Sequence, residues 1–342
     1  MDNEFRYLCN KLKPFFFDNR GVCSKANDRL IVELSEILDL NIIRIKSGTN
    51  IEGWQIPKGW ELKKAEVKIG NMFFNDKNCR LLVPFGSNSF KCKGKYSEIK
   101  NKFSIAFINR ESIPYRTNYY KNNQKPIICL PFKSLKEVKE NDDIEIDIKT
   151  LEYDHFLSIG ELVVQGKTDR SIIISTYNCH PGLGNDNFSG ILSWMYLAKL
   201  MKEKSNNFYT YRFVIAPETI GSLAYIKLLN ERNLIDKIIH CFIMTCLGGE
   251  SENYSYKQSP YQNGYSRYLD YLILKNKKEI VLRPFTHDGS DERQYSSPGV
   301  KISSSSLCRN RYYEYKEYHT SRDDWKFMSL EAIEESIEIM YK

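Results

Sequence analysis

Three side chains of the sequence have the chemical types that bind a catalytic metal ion: His180, Asp186 and His319. His180 and Asp186 lie in the loop STYNCHPGLGNDNFSG, residues 175–190, which follows an apolar run, and His319 lies in YHTSRDDW. A single histidine in a loop is usually only polar surface, so the prediction depends on the combination. Two imidazoles and one carboxylate, with a fourth position open, are a common ligand set for catalytic zinc. We therefore predict one zinc ion held by these three residues.

A hydrolytic zinc site also needs a group that accepts a proton from water. Bound zinc lowers the pKa of its water to about 7, and a nearby carboxylate can then take up the proton. Glu218, in IAPETIGS, follows another apolar strand and is the candidate base. The alternative is an acid near a helix N-terminus that interacts only with the helix dipole.

These residues lie where an α/β pattern predicts strand ends. From about Pro131, strands such as RSIIISTYN and YTYRFVIAPE alternate with helices such as GILSWMYLAKLMKEK, and the last helix, SLEAIEESIEIMYK, is capped by Ser329. This alternation predicts a mostly parallel or mixed sheet covered by helices on both faces. Ligands bind at the carboxyl ends of strands in such sheets, so YNCHPGLGND, APET and TCLGGE should lie side by side.

The sequence before this pattern predicts a helix and then an inserted subdomain. Asn27–Leu40 has the spacing of an amphipathic helix that begins at an Asn/Asp pair. From Ile51 onward, short alternating segments broken by Gly and Pro predict small β-structure. We predict a mostly β insert at 51–130 and a discontinuous α/β domain at 1–50 and 131–342; a long irregular excursion is the alternative to the insert.

Composition argues against several function classes. The chain has 342 residues and a net charge of +7, with lysines and acids interspersed rather than gathered into a basic stripe, so we do not expect a nucleic-acid partner. No run approaches the roughly 20 apolar residues that span a bilayer. Nine cysteines at scattered spacings, without C-x-x-C or an apolar signal region at the N-terminus, predict a reducing, cytoplasmic location.

Four motifs occur in a characteristic order: NDNFSG before a helix, PETIGS after an apolar strand, GSDERQYSSPG and YHTSRDDW. Together they resemble the zinc aminopeptidases of the bacterial leucyl aminopeptidase and glutamate carboxypeptidase superfamily. They are more similar still to an aminopeptidase-like bacterial branch that is often encoded near surface-polysaccharide genes. Members of this branch carry a small inserted β domain, and two segments of this sequence resemble it: SGTNIEGWQIPKGW and SIPYRTNYY. The resemblance covers nearly the whole chain and implies a three-layer α/β/α fold of the phosphorylase/hydrolase-like type.

The resemblance also implies roles for individual residues. His180 and His319 match the first and last metal-binding histidines, Asp186 matches an aspartate that bridges two zinc ions, and Glu218 matches the general base. Asp291 matches a polar position near the site. Together with three neighbours it forms the set of predicted substrate contacts: Asp291, Glu292, Arg293 and Tyr295.

Three positions depart from the peptidase pattern. Thr219 stands where the peptidases have the second acid of a Glu-Glu pair, and Thr245 stands where they have another ligand acid. Gly182 stands where an aspartate would orient the first histidine. A threonine hydroxyl is a poor zinc ligand, so we predict one ion rather than two. Losing an orienting carboxylate of this kind commonly costs about 10–100-fold in affinity or activity.

The predicted function is a mononuclear zinc amidohydrolase of aminopeptidase-like type that cleaves an amide bond in a small molecule or short peptide. Its substrate could be an aminoacyl compound, a short peptide or an acylated amino sugar. The main alternative is a non-catalytic binding protein on a degenerate peptidase scaffold.

A third hypothesis is a different reaction in the same cleft, such as a transferase or a Cys179 nucleophile. Adjacent residues on an extended strand point to opposite faces, which disfavours a Cys179–His180 pair. The insert could shape the cleft and could form a contact in a homo-oligomer.

Overall fold

The protein is described by a computed structural model that covers residues 3–117, 126–275 and 279–341. Its helices are α1 (Asn3–Leu12), α2 (Lys25–Leu38), α3 (Tyr96–Ile99), α4 (Phe132–Lys136), α5 (Gly190–Glu203), α6 (Ile220–Glu231), α7 (Gly264–Lys275), α8 (Glu292–Tyr295) and α9 (Leu330–Tyr341). Its strands are β1 (Asn41–Lys46), β2 (Asn50–Ile51), β3 (Trp54–Gln55), β4 (Gly59–Ile69), β5 (Met72–Asn75), β6 (Phe90–Lys95), β7 (Phe103–Ser104), β8 (Ile128–Cys129), β9 (Asp143–Tyr153), β10 (Phe156–Val164), β11 (Ser171–Tyr177), β12 (Thr210–Ala216), β13 (Ile238–Met244), β14 (Tyr254–Lys257), β15 (Ile280–Arg283) and β16 (Ser304–Cys308). The last three residues of the predicted insert motif SIPYRTNYY lie outside the described residues.

The large sheet is mixed, as the alternation of strands and helices predicts. Within the described residues it has eight strands in the order β1-β10-β12-β11-β13-β16-β14-β15. The neighbours β12, β11, β13 and β16 run parallel, whereas β10 is antiparallel to β12 and β14 is antiparallel to β16. The carboxyl ends of the four parallel strands therefore meet at one edge of the sheet.

Helices cover both faces of this sheet, which confirms the predicted layers. Ile172 and Ile174 of β11 lie in one apolar core with α1, α2, α5 and α9. Ile173, between them, lies in a second core with α6 and α8. Successive side chains of a strand point to opposite faces, so the apolar run of β11 serves both cores. Burying one such side chain contributes about 1.5–3 kcal/mol, which fixes the strand between the two helical layers.

A second sheet lies between β1 and β10 in the chain. Over the described residues it has four strands in the order β5-β4-β9-β6 and an apolar core of its own, which includes Trp60, Val67 and Ile146. β1 and β10 pair directly with each other, with Lys46 opposite Phe156. The chain therefore leaves and re-enters the large sheet at one point.

We propose that the insertion spans residues 47–155, in place of the division at 51–130 that the sequence predicts. The reason lies in β9, whose alternating sequence IEIDIKTLEY predicts a strand but does not say to which sheet it belongs. The structure pairs β9 with β4 and β6, so this strand joins the second sheet rather than the large one.

Two helix starts test the capping predictions. The last helix begins after Ser329, whose hydroxyl accepts the N–H of Ala332 at 3.2 Å, as predicted. The start predicted at Asn27 is wrong, because α2 begins at Lys25 and Ser24 is its N-cap, accepting the N–H of Asn27 at 3.1 Å. Serine is a strong N-cap, and the Asn/Asp pair lies inside the first turn.

In the described part of the chain, no helix combines the length and the apolar character that crossing a membrane requires.

His240 is a core residue of β13. It is fully buried, and its two ring nitrogens lie 3.0 Å from the Ser303 hydroxyl and 2.8 Å from the Ser305 hydroxyl. Burial lowers the pKa of His240 to about 3. A neutral imidazole bonded to two serine hydroxyls therefore links β13 to the neighbouring segment that contains β16.

We expect His240 to make the protein sensitive to acid. Its pKa is lower when folded than the unfolded value of 6.5, so below about pH 6.5 the unfolded chain binds more protons and stability falls as pH falls. The loss is about 1.4 kcal/mol per pH unit between the two pKa values. Urea unfolding of the parent and of His240→Gln at pH 7, 6 and 5 should show a steeper decline for the parent. Parallel declines would contradict this assignment.

Candidate metal centre

The strand ends place the predicted residues together. His180 follows β11, Glu218 follows β12 and Thr245 follows β13, while His319 lies in the segment after β16. Because these four strands are parallel neighbours, the loops that leave their carboxyl ends share one edge of the sheet. This is where ligands bind in open α/β sheets.

His180, Asp186 and His319 form a compact group with the chemistry of a metal site. Each offers one ligand atom, and these atoms lie within 4.8 Å of one another. An ion about 2.0–2.2 Å from each ligand requires ligand atoms within roughly 4.4 Å of each other, so the observed spread is a few tenths of an ångström wider at most. His319 Nε2 lies 2.9 Å from Asp186 Oδ2, yet this buried nitrogen has no hydrogen-bond partner among the described residues. A nitrogen and a carboxylate oxygen that meet without hydrogen-bond alignment fit a shared cation.

The protonation states suit metal binding. Burial lowers the pKa of His180 to about 4, so its imidazole is neutral at pH 7 and keeps a free lone pair. Burial alone would raise the pKa of Asp186, but His180, His319 and the Tyr177 hydroxyl bring it to about 2. A neutral imidazole and an ionised carboxylate are the forms that bind metals.

The turn that carries Asp186 passes very close to the segment after His319. A Cβ added to Gly184 would lie 2.2 Å from the carbonyl oxygen of Asp324, so only glycine fits at this position. Gly182 has a φ of +73°, a backbone conformation that residues other than glycine rarely adopt. The glycines of PGLGND therefore shape the turn and let the two segments approach.

Asp323 joins these two segments by hydrogen bonds. Its carboxylate oxygens accept the backbone N–H groups of Asn185 at 2.6 Å and Asp186 at 3.0 Å, and the Tyr315 hydroxyl at 2.8 Å. Burial, followed by the charge of Asp186, raises the pKa of Asp323 to about 7. The segment that carries His319 thus holds the backbone of the Asp186 turn.

Tyr177, at the end of β11, orients the Asp186 carboxylate. Its hydroxyl donates to Asp186 Oδ1 at 2.5 Å and lies 2.7 Å from Thr245 Oγ1. Asp186 Oδ1 is therefore engaged, while Oδ2 faces His319. The hydroxyls of Tyr177 and Thr245 lie beside the carboxylate on the side where the peptidase resemblance places another acid.

Glu218 lies next to the metal-binding group. Its Oε1 accepts the hydroxyl of Ser290 at 2.8 Å, and its Oε2 lies 3.8 Å from His180 Nε2, too far for a hydrogen bond. Burial, followed by the charges of Asp291 and Asp186, raises the pKa of Glu218 well above its usual range. The N-cap position of α6 belongs to Thr219, so the carboxylate of Glu218 bonds Ser290 instead of capping the helix.

Three residues at this edge have positive φ without being glycine. Thr219 has a φ of 67°, Cys246 of 53° and His319 of 51°. The left-handed region is uncommon for such residues and unusual for a β-branched one. Strained backbone of this kind concentrates at functional sites, where surrounding contacts hold it.

The four predicted substrate contacts differ in where their side chains lie. Three are buried: the Asp291 carboxylate accepts the N–H of Thr219 at 2.7 Å, Glu292 bonds the buried Lys257 at 2.8 Å, and Tyr295 lies in the second core. Arg293 is partly exposed, and its guanidinium donates to Thr219 Oγ1 at 3.4 Å. Of these predicted contacts, only Arg293 has a side chain that a substrate can reach.

Cys179 lies closer to His180 than the alternation argument predicts. Its Sγ is 3.6 Å from His180 Nδ1; β11 ends at Tyr177, so both residues lie beyond the strand to which the alternation argument applies. The same sulfur accepts the N–H of Glu218 at 3.2 Å, and burial raises the pKa of the thiol well above its usual range. A buried, protonated thiol is a poor nucleophile.

Sequence reasoning missed the residues that support the metal-binding group. Tyr177 lies inside the quoted loop and Asp323 inside YHTSRDDW, so position alone could have raised both as candidates. Ser290 lies inside GSDERQYSSPG and Tyr115 inside SIPYRTNYY, but their contacts with Glu218 and the histidines join distant parts of the chain, which no local pattern shows.

Comparisons with known proteins agree with this architecture. A family model described as a domain of unknown function (DUF4910) matches residues 9–342. A curated relative from Clostridium acetobutylicum is 31% identical over 341 residues, which cover 98% of this chain and 77% of the relative. Its provisional name is polysaccharide biosynthesis protein with aminopeptidase-like domain.

Solved structures extend the comparison. A crystal structure from Clostridium acetobutylicum, provisionally named a peptidase, has a TM-score of 0.88 at 28% identity and covers 99% of this chain and 79% of that one. The zinc aminopeptidase BSAP from Bacillus subtilis has a TM-score of 0.65 at 13% identity, covering 98% and 93%. A peptidase M28 precursor from Shewanella amazonensis has 0.69 at 11%, covering 99% and 92%. The last two likenesses show the fold alone. The predicted aminopeptidase-like family is confirmed by the relative at 31% identity, which is named for its aminopeptidase-like domain.

We expect Tyr177→Phe to weaken both folding and metal binding. The substitution removes a buried hydrogen bond to a carboxylate, which costs about 1.5–3 kcal/mol of stability, and it leaves Asp186 without its orienting donor. Tyr225→Phe is the matched control, since the Tyr225 hydroxyl donates to the buried Glu161 at 2.6 Å in the core behind the site. Urea unfolding and zinc titration should show destabilisation in both variants and weaker zinc binding in Tyr177→Phe only. Equal zinc affinity in the two variants would contradict the role given to Tyr177.

Proposed function

Because this chain belongs to the DUF4910 family and has an aminopeptidase-like fold, we propose that it is a mononuclear zinc-dependent amidohydrolase of aminopeptidase-like type. The observation that carries the proposal is the convergence of His180, Asp186 and His319 within 4.8 Å, beside Glu218. A pure binding module has no need of a carboxylate at that position.

His180 and His319 would each hold the ion through a ring nitrogen, and Asp186 would hold it through Oδ2. A zinc ion held by such a set would act as a Lewis acid that polarises a carbonyl group and lowers the pKa of a bound water to about 7. The Tyr177 hydroxyl keeps Asp186 Oδ1 engaged, so the carboxylate contributes one oxygen. Thr245 and Thr219 add hydroxyls rather than anions, which favours one ion over two.

Glu218 would act as the general base. Ser290 holds its Oε1 by a 2.8 Å hydrogen bond, which leaves Oε2 to accept a proton from water and to return it to the leaving amine. General-base transfer requires the carboxylate to lie within hydrogen-bond reach of the reacting water, and the 3.8 Å separation between Oε2 and the candidate ligand atom His180 Nε2 supports this role. The charge of the ion would oppose the burial and the neighbouring carboxylates that raise the pKa of Glu218.

We propose a small amide-bearing substrate, either a short peptide or an acylated building block of a polysaccharide. The second possibility takes its support from the name of the Clostridium relative. Arg293, partly exposed beside Thr219, is the residue we assign to substrate contact. The buried side chains of Asp291, Glu292 and Tyr295 position the loop instead.

Two substitutions separate metal binding from catalysis. Glu218→Gln should bind one zinc ion per chain and lose at least about 100-fold in turnover, because only the base is removed. His319→Ala should lose the metal itself. His287→Ala is the matched control, since His287 lies outside the metal-binding group. Zinc content after dialysis, together with hydrolysis of a panel of aminoacyl and N-acyl amides, tests all three.

Undiminished zinc binding by His319→Ala would overturn the ligand assignment. A parent protein that binds no zinc would favour the alternative, a non-catalytic binding protein on the peptidase scaffold.

A further inference from the structure

The insertion, residues 47–155, contacts both loops that carry the candidate metal ligands. The first contact is Leu183, which lies between His180 and Asp186 in the chain. Its side chain is fully buried and belongs to the same apolar cluster as Trp60 and Val83 of the insertion. Leu183 therefore ties the loop after β11 to the core of the second sheet.

The second contact is a short backbone pairing between the insertion and the segment that carries His319. The N–H of Tyr115 donates to the carbonyl oxygen of His319 at 2.8 Å, and the N–H of Ser321 donates to the carbonyl oxygen of Ile113 at 2.8 Å. The Ser321 hydroxyl also accepts the N–H of Ile113 at 3.0 Å, and Pro114 and Thr320 form an antiparallel bridge. Three hydrogen bonds thus fix the backbone on both sides of Thr320.

The side chain of Tyr115 reaches both imidazoles. Its ring centroid lies 5.6 Å from that of His180 and 5.3 Å from that of His319, and Tyr115 is 5% exposed. On its other side, His319 stacks on Tyr318 at 4.0 Å with an interplanar angle of 12°. The His319 ring is therefore held between one tyrosine of the insertion and one of its own segment.

This support has a physical purpose. The His319 backbone has a φ of 51°, a conformation that an isolated loop residue rarely keeps, and the side chain is 35% exposed. Ordering such a residue costs backbone and side-chain entropy. The hydrogen bonds on both sides of Thr320 and the two tyrosine rings offset this cost. Leu183 restrains the loop between His180 and Asp186 by apolar burial in the core of the insertion, so the insertion contacts both ligand loops.

We infer that the insertion sets the separation of the two histidines of the candidate metal centre, with Tyr115 of the insertion and Leu183 of the loop after β11 as positioning residues. This inference rests on the proposed function, because it concerns the ligands of the ion proposed there. It assigns a role to the insertion that neither its composition nor its β-structure indicates.

The test uses the full chain with cobalt(II) as a spectroscopic stand-in for zinc. Four variants are titrated: Tyr115→Ala, Tyr115→Phe, Ser321→Ala, and the matched control Leu130→Ala. Leu130 is fully buried in the core of the insertion, so its truncation destabilises the insertion through a cavity, and none of the three hydrogen bonds around Thr320 involves Leu130. Thermal unfolding of each metal-free variant shows that it is folded at the temperature of the titration.

We expect Tyr115→Ala to bind cobalt about 10–100-fold more weakly, as the loss of supporting contacts around a metal site commonly does, and to change the visible absorption bands. Tyr115→Phe keeps the ring and loses the hydroxyl, which donates to the carbonyl oxygen of Cys179 at 3.5 Å; because the ring contacts remain, this variant should stay close to the parent's affinity and spectrum. Ser321→Ala removes one hydrogen bond, keeps the fold, and should weaken binding several-fold. Leu130→Ala should be less stable than the parent and bind cobalt as the parent does.

The two ways of failing are distinct. If the parent binds one ion and both Tyr115→Ala and Ser321→Ala match it in affinity and spectrum, the inference about the insertion is overturned and the proposed function stands. If Leu130→Ala loses affinity as much as Tyr115→Ala, the effect is general destabilisation, which also overturns the inference. If the parent binds neither cobalt nor zinc, the proposed function itself fails.

Discussion

The buried carboxylate of Asp186 is the constraint on which the rest of the site depends. Its side chain is 2% exposed, and a buried anion is costly unless positive or donating groups surround it. The Tyr177 hydroxyl satisfies Oδ1, while Oδ2 faces an imidazole nitrogen at 2.9 Å without a hydrogen bond. The divalent ion that we propose would supply positive charge between Oδ2 and the two histidines.

Three structural layers hold that arrangement. The parallel strands β12, β11, β13 and β16 bring four loops to one edge, and both faces of the sheet are packed with helices. Asp323 then ties the Asp186 turn to the His319 segment through two backbone N–H groups. The insertion contacts both loops from outside. Each layer is needed because the three candidate ligands lie outside the regular helices and strands. Asp186 lies in an irregular π-helical turn, Gly184–Ser189, where its own φ/ψ are non-helical, and both histidines lie in loops. A site built on such segments is only as rigid as the elements that hold them.

The sequence predicts the elements of this fold well and their long-range contacts poorly. The run IIIS of β11, the strand ends at His180 and Glu218, and the Ser329 cap follow from local patterns, and the structure agrees with them. The N-cap at Ser24 was missed because the Asn/Asp pair three positions later offers an equally good local signal. Other features depend on partners that are distant in the chain, which a single sequence does not reveal. They are the membership of β9 in the second sheet, the ion pair between the buried Glu292 and Lys257, and the contacts of Tyr115. For the same reason, residue types alone could only group Asp186 and His319 with His180 as candidates, and the resemblance implied their individual roles.

The most direct measurement of the central claim is an anomalous difference map at the zinc absorption edge, from crystals of the full chain grown with zinc. The account predicts a single strong peak among His180, Asp186 and His319, about 2.0–2.2 Å from two ring nitrogens and from Oδ2, with Glu218 nearby but not bound. A map with no peak there would contradict the account. So would two peaks that share Asp186, because Tyr177 would then have to leave Oδ1.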